Sequence, residues 1–351
     1  MPTRPKVAVA CQGGGSHAAF AAGILRELLQ PRSRERYELV ALSGTSGGAM
    51  CAALAWAGLV SGSHNDAVAR LTAFWRDLEV HDLFDAMANF WSVSLARLPF
   101  TFDISPYLYQ APAEPRLREL LQRHLAIESL PHDPRKRANP KLFIGATDIV
   151  SGERTIFEGE TLGYDDLIAS AAVPPLFRAV HAHDSMFWDG LFSVNPPVRE
   201  FTDLPERPDE IWVVQINPQR RSREPRAATE ITDRRNELAG NLSLAQELYF
   251  VDKINQLIAR HPSLIEQYKQ IKIRVVELGL SDLDYPSKLD RSSALIESLM
   301  EDGKMRAGWF FDNRSLWPRE GTAQTAACFP ARGSAKARVA TRSGLAAVGS
   351  L

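Results

Sequence analysis

The sequence is poor in cysteine and has no long apolar segment. Its 351 residues include three cysteines, and the odd, widely spaced set of Cys11, Cys51 and Cys328 matches neither a disulfide framework nor a zinc-binding pattern. No stretch approaches the roughly 18 consecutive apolar residues of a membrane-spanning helix, and residues 1–12 lack the apolar centre of a signal peptide. We therefore expect a cytoplasmic protein in a reducing compartment, with any membrane contact confined to the membrane surface.

A surplus of charge of one sign is also missing. The chain has 41 basic and 42 acidic residues, a net charge of −1 and a hydrophobic content of 45%. This balance lacks the basic footprint of nucleic-acid-binding proteins and gives the chain as a whole no attraction to anionic membranes. We expect no nucleic-acid partner, no metal and no cofactor, and the sequence indicates no oligomeric state.

Apolar runs alternate with amphipathic segments along most of the chain. Runs bounded by glycine, proline or polar residues predict buried strands. They lie at residues 6–11, 37–42, 141–149, 154–159, 210–216 and 271–278. Helical spacing between them is typical of an α/β fold, in which a mostly parallel sheet is covered by helices on both faces.

The last third of the chain contains two interruptions. A long helical stretch between the last two strands is predicted to break near Gly240 and Asn241 and to restart at the capping box Ser243-x-x-Gln246. From about Pro318 the hydrophobic period is lost, and the segment is rich in Ala, Gly, Ser and Arg. We expect one folded domain over residues 1–317 and a disordered tail over residues 318–351.

Three consecutive glycines follow the first strand, in the segment CQGGGSHAAF. Gly13, Gly15 and Ala18 satisfy the G-x-G-x-x-G/A pattern of dinucleotide-binding loops. That interpretation requires an acidic residue near the end of the second strand, whereas Glu38 stands at its beginning. The alternatives are a turn that only permits tight packing, or a set of backbone N–H groups that binds an oxyanion.

The second strand runs into the segment Gly44-Thr45-Ser46-Gly47-Gly48, a G-x-S-x-G pattern between a strand and a helix. This is the context of a nucleophile elbow, in which flanking glycines let strand and helix pass closely and expose the serine hydroxyl. A purely structural turn is the alternative. If the first two strands are neighbours, the glycine loop lies beside Ser46, which favours an oxyanion hole over a pyrophosphate site.

A nucleophilic serine needs a proton acceptor. Among the histidines, His261 suits a helix cap, His181 and His183 suit exposed positions, and His17 in the glycine loop could orient substrate or be solvated. Asp189 follows the apolar strand 186–188 and precedes Gly190. An Asp-Gly turn without function is common, so this aspartate alone does not identify a base.

The sequence resembles the patatin-like phospholipases in the order of its motifs: the glycine loop, the G-x-S-x-G segment, and an Asp-Gly followed by Asn and Pro. The segment LIASAAVPPLF at 167–177 resembles the same family. The resemblance implies a three-layer α/β/α sandwich and a Ser–Asp dyad that hydrolyses acyl esters of lipids, as a carboxylic ester hydrolase of the phospholipase or lipase type. It implies the following roles: Ser46 as nucleophile, Asp189 as base, Gly13, Gly14 and Gly15 in the oxyanion hole, and Gly44, Gly48 and Gly190 as supports of the turns.

The sequence departs from the family pattern at three positions. His17 and Ala18 stand where the family usually has Arg and Gly, and Leu191 replaces a small residue after the Asp-Gly. Residues 83–130 begin with a stretch dense in aromatic and large aliphatic side chains, expected either to form a cap or acyl pocket or to cover the sheet. A nucleotide-binding protein and a catalytically silent relative that binds lipid or protein remain the alternative functions.

Overall fold

The computed structural model describes residues 4–80, 83–96, 105–108, 113–131, 140–174, 176–221, 223–280 and 283–312. Within these ranges the strands are β1 (Lys6–Cys11), β2 (Glu38–Thr45), β3 (Lys141–Asp148), β4 (Arg154–Glu158), β5 (Val180–Ala182), β6 (Ser185–Asp189), β7 (Glu210–Gln215) and β8 (Lys272–Glu277). The helices are α1 (Ala19–Leu28), α2 (Pro31–Arg34), α3 (Gly47–Val60), α4 (His64–Leu78), α5 (Leu83–Ala96), α6 (Ala113–His124), α7 (Tyr164–Ser170), α8 (Ala228–Arg260), α9 (Tyr285–Leu289) and α10 (Ser293–Asp312).

All the strands of the described ranges belong to one sheet, in the order β5-β6-β3-β2-β1-β7-β8, with β4 paired to β3. The pairs from β3 through β2, β1 and β7 to β8 are parallel. The pairs that involve β4, β5 and β6 are antiparallel. The predicted mostly parallel sheet is therefore confirmed, and its parallel strands all end at the edge where the glycine loop and Ser46 follow.

Helices cover both faces of the sheet. Side chains that alternate along the strands divide between two apolar clusters: Val7 and Val9 pack with α1, α3 and α10, whereas Ala8 and Ala10 pack with α8. Burial of these alternating positions on both sides drives the layers together. The three-layer α/β/α sandwich predicted from the sequence is therefore confirmed.

Helix α8 runs without a break from Ala228 to Arg260, so the predicted interruption was wrong. A Cβ on Gly240 would lie 2.7 Å from Nδ2 of Asn195, and the Asn241 side chain accepts a hydrogen bond from Nε2 of Gln12 at 3.0 Å. Both residues resemble helix breakers in sequence, but here they let α8 approach the segments around the glycine loop.

The predicted cap region 83–130 is described in part. Asn89 of α5 donates to Asp290 at 2.9 Å and accepts from the N–H of Arg291 at 3.0 Å, which ties α5 to the segment between α9 and α10. Helix α6 lies against α7, where Arg118 pairs with Asp165 at 2.7 Å. The predicted tail 318–351 lies outside the described residues. Among the described helices, none combines the length and apolarity needed to cross a membrane.

Candidate active site

Ser46 occupies a sharp turn between β2 and α3. Its φ of 56° and ψ of −131° lie in a region that residues other than glycine rarely adopt, and strain of this kind concentrates at functional sites. At Gly44 there is no room for a Cβ because the Gly48 carbonyl stands against it. The strand, the serine and the helix therefore form the nucleophile-elbow geometry that the G-x-S-x-G segment predicts.

Strand β3 brings Ser46 and Asp189 together. Thr45, the last residue of β2, pairs with Gly145 of β3, while Asp189, the last residue of β6, pairs with the next residue, Ala146. Strand β3 has two sides that can pair with a neighbour, and β4 occupies one of them. Strands β2 and β6 therefore both pair with the opposite side of β3, where their final residues meet end to end. A Cβ on Gly190 would lie 2.6 Å from the Gly145 carbonyl oxygen, so this junction is tightly packed.

Asp189 is fully buried at this junction. Its Oδ1 accepts the N–H of Leu191 at 2.8 Å, whereas Oδ2 has no hydrogen-bond partner among the described residues. Burial raises the pKa of Asp189 to about 7. The Ser46 hydroxyl, which is near the carboxyl but outside hydrogen-bond geometry, and the Leu191 N–H both act to lower it. Leu191 acts here through its backbone, so its departure from the family pattern removes no interaction of the carboxylate.

The glycine loop passes beside Ser46, since a Cβ on Gly13 would lie 2.7 Å from the Ser46 Cβ. The N–H of Gly13 donates to Oδ1 of Asn195 at 2.7 Å. The family resemblance implies that this N–H lies in the oxyanion hole, but here it already has an acceptor. The N–H groups of Gly14 and Gly15 donate to no acceptor in the described part of the chain. The loop therefore offers two unengaged donors rather than three.

The acidic residue required for a dinucleotide site is not near this loop. Glu38 pairs with Lys6 at the start of β1 and β2, at the opposite edge of the sheet. The residues at the other end of β2 are Thr45 and Ser46, neither of which can accept hydrogen bonds from a ribose as a carboxylate does. This placement gives the dinucleotide interpretation no support.

Four polar residues that support the site were not assigned from the sequence. Gln12 accepts the N–H groups of Ile216 and Asn217, each at 2.9 Å, and thereby joins the end of β1 to that of β7. Asn195 accepts the Gly13 N–H, and the Ser170 hydroxyl accepts the Ser46 N–H at 3.0 Å. The Thr45 hydroxyl donates to the Val194 carbonyl at 2.7 Å. Ser170 and Asn195 lie in segments already similar to the family, which was the available signal.

His17 is buried, and its Nε2 lies 2.8 Å from the Ser287 hydroxyl. Burial lowers its pKa to about 3, so the ring is neutral at physiological pH. In the described ranges no histidine forms a hydrogen bond with Ser46 or Asp189, and His81 and His132 lie outside those ranges. No group of three or more potential metal ligands was found among the described residues.

Replacing Ser170 by alanine is expected to destabilise the elbow. The hydroxyl accepts from the Ser46 N–H and donates to the Gly145 carbonyl at 2.6 Å, so its removal leaves two buried backbone groups unpaired. We expect a loss of about 1–3 kcal/mol in the free energy of unfolding, measured with urea, together with reduced ester hydrolysis. Ser129→Ala, which removes an exposed hydroxyl from a local turn, is the control; equal losses in both variants would contradict this role.

A mostly parallel central sheet with a serine in a sharp turn at the end of one strand is the architecture of α/β proteins of the hydrolase type. A sequence profile described as "Patatin-like phospholipase" matches residues 9–202, more than half of the chain. The chain belongs to the patatin-like phospholipase family. The matched range includes the glycine loop, Ser46 and Asp189.

Comparison with solved structures identifies distant similarities. VipD from Legionella pneumophila shares 13% identity with a TM-score of 0.46, over 89% of this chain and 67% of VipD. A chain of the heterodimeric ExoU–SpcU complex of Pseudomonas aeruginosa shares 14% identity with a TM-score of 0.37, over 90% of this chain and 52% of the matched chain. This protein thus spans about half to two thirds of their length. Comparison with curated proteins gave no match.

Proposed function

We propose that the protein is a lipid acyl hydrolase that cleaves carboxylic esters with Ser46 as nucleophile and Asp189 as base. The observation that carries this proposal is the meeting of β2 and β6 on β3, which sets a strained serine beside a buried carboxylate. Membership of the patatin-like phospholipase family supports lipids as the substrate class. The proposed catalytic domain covers residues 1–317, with residues 83–130 as a cap over the acyl chain.

In the proposed reaction, Asp189 accepts the proton of the Ser46 hydroxyl as Oγ attacks the ester carbonyl. The alcohol leaves with that proton, and an acyl ester remains on Ser46. Asp189 then deprotonates a water molecule, which attacks the acyl group and releases the fatty acid and the free serine. Side chains and water suffice for these steps, so the proposal includes no cofactor or metal.

The oxyanion formed in both halves of the reaction requires hydrogen-bond donors. We assign this role to the Gly14 and Gly15 N–H groups, because Gly13 is engaged by Asn195. Helix α3 begins at Gly47, directly after the nucleophile, and its N-terminal dipole favours the developing negative charge. Loss of a single oxyanion donor costs on the order of 10²–10³ in rate in enzymes of this type.

The rate of ester hydrolysis is expected to rise with pH up to about 7 and then level off. The base must be deprotonated, and burial holds the pKa of Asp189 near 7. Below that pH, kcat/KM for a soluble short-chain ester should fall by about tenfold per pH unit. The measurement is a pH–rate profile with circular dichroism at each pH as the control for folding. A profile already level at pH 5 would contradict Asp189 as the base.

Release of fatty acid from phospholipid vesicles, followed by mass spectrometry, tests the substrate class directly. Hydrolysis of both the soluble ester and the phospholipid is the expected result. Binding of intact phospholipid without any turnover of either substrate would instead identify a catalytically silent relative and contradict the proposal.

A further inference from the structure

A basic loop follows β7 at the edge of the sheet that carries the candidate active site. Residues 219–226, which read QRRSREPR, contain four arginines and one acidic residue. The loop starts next to the glycine loop, where Nδ2 of Asn217 donates to the Gly13 carbonyl at 3.2 Å. Arg234 holds the start of this loop by donating to the carbonyl of its first residue, Gln219, and to that of the preceding Pro218, each at 3.1 Å.

The arginines of this loop divide into one anchor and three exposed cations. Arg221 pairs with the buried carboxylates of Asp233 and Glu237 on α8. Arg220 and Arg223 are exposed and make no ion pair within the part of the chain that the structure describes, and Arg226 is exposed with Glu224 3.5 Å away. The anchor therefore fixes the loop while its neighbours present positive charge to solvent.

Helix α8 continues this surface with an apolar stripe. Four of its six exposed large apolar side chains stand at spacings of seven, four and seven residues and fall on one line along the helix. They are Ile231, Leu238, Leu242 and Tyr249. Leu242 is 60% exposed and Tyr249 is 65% exposed, on the side opposite Leu244 and Leu248, which pack on the sheet. A stripe of this length on a monomer surface is typical of an interaction site.

The charges around the stripe select its partner. Arg235, Lys253 and Arg260 are exposed on α8, while the one fully exposed acid of this helix, Glu230, accepts the N–H groups of Arg226 and Ala227. A line of apolar side chains with cations beside it is the pattern of helices that lie in the interface of anionic membranes.

Two other occupants fit this charge less well. The segment 318–351 of this chain carries five basic residues and one acidic residue, so it would be repelled by the arginines. A second copy of the chain that packed through the same face would bring the same excess of cations to the contact. An anionic bilayer supplies both the negative charge and the apolar phase.

We propose that Arg220, Arg223, Arg226 and Arg235, together with Ile231, Leu238, Leu242 and Tyr249, form a docking face for an anionic lipid bilayer. This inference rests on the proposed function insofar as docking would present lipid esters to Ser46. The net charge of −1 does not reveal this docking face, because the cations of the face are concentrated in one segment. Residues 219–235 include six arginines and three acidic residues. Cations are denser at the N-terminal end of α8 than at its C-terminal end, where Lys253 and Arg260 lie, and this asymmetry orients the edge with the glycine loop towards the bilayer.

The test is cosedimentation of the full chain with vesicles of phosphatidylcholine alone or with about a third phosphatidylserine. The protein carries Ser46→Ala, so binding is measured without lipid turnover. We expect at least about tenfold tighter binding to the anionic vesicles, weakened by salt. Arg223→Glu should weaken binding to the anionic vesicles by about fivefold or more, since each cation near such a surface contributes about 1 kcal/mol. Leu242→Asp should weaken binding to both.

Matched controls are Arg76→Glu, on α4 beneath the other face of the sheet, and Ile265→Asp, which is as exposed as Tyr249. Both should bind as the parent does, with unfolding temperatures checked for every variant.

Equal binding to the two vesicle types, or equal effects of Leu242→Asp and Ile265→Asp, would overturn the docking face. So would dissociation of a dimer by Leu242→Asp, or tighter vesicle binding after removal of residues 318–351. Turnover of a soluble ester reports the chemistry separately, so its absence would count against the proposed function and not against docking.

Discussion

Replacement of Ser46 by alanine is expected to abolish ester hydrolysis, with a fall in kcat of about 10⁴ or more. The reason is that removing a nucleophilic serine leaves only the rate provided by binding and by the oxyanion donors. Intact-mass spectrometry after treatment with a fluorophosphonate provides the direct measurement. The wild-type chain should gain one adduct, and the Ser46→Ala chain should gain none. A full adduct on the variant would assign the nucleophile to another residue.

The elbow allows a second, structural check on the same residue. At a φ of 56° an alanine is as strained as the serine, whereas a glycine is not. Ser46→Gly should therefore be as inactive as Ser46→Ala but should have the higher free energy of unfolding in urea. If both variants unfold alike, the turn stores no strain and the elbow geometry is not what positions the hydroxyl.

The local part of this site was accessible from sequence, because it depends on neighbouring residues. Glycines two positions before and after Ser46, between a buried strand and a small-residue helix, define the turn through backbone sterics alone. The contact between Ser46 and Asp189 was not accessible in the same way. It depends on β6 entering the sheet antiparallel and pairing with Ala146, an arrangement that only the resemblance to a family indicated.

Two errors show how tertiary contacts change the meaning of local signals. Gly240 and Asn241 predicted a helix break, but one makes room for Asn195 and the other bonds to Gln12, so the helix continues. Gly13 was predicted as an oxyanion donor by its place in the loop. Its N–H is instead taken by Asn195, a residue 182 positions away in the sequence. Neither partner can be identified from the spacing of residues near the glycine.

Replacement of Asp189 by asparagine is expected to reduce kcat by about 10³–10⁴, because an amide cannot accept the serine proton. The side chain has nearly the same shape, and its Oδ1 can still accept the Leu191 N–H. The fluorophosphonate adduct on Ser46 should therefore form slowly rather than disappear. Adduct formation at the wild-type rate would show that another group activates the serine.

The same variant should change how stability depends on pH. Burial raises the pKa of Asp189 from 3.8 to about 7, so in the wild type this group contributes stability below about pH 4 that is lost as the pH rises through 7. The contribution amounts to about 4 kcal/mol at most, since one pKa unit corresponds to about 1.4 kcal/mol. Asparagine does not ionise, so the free energy of unfolding of Asp189→Asn relative to wild type should increase between pH 4 and pH 7 and then stay constant.

Urea unfolding at several pH values measures this difference, with Asp148→Asn as the control. Hydrogen bonds from Ser151 and Ser185 lower the pKa of Asp148, so its stabilising contribution is complete above its ordinary pKa. The difference between Asp148→Asn and wild type should therefore not change from pH 5 to pH 8. A pH-independent difference for Asp189→Asn as well would contradict a buried carboxylate that loses its proton near pH 7. If the free energy of unfolding of Asp189→Asn relative to wild type rises between pH 4 and pH 7, the deprotonated base beside Ser46 lowers the stability of the wild type near neutral pH.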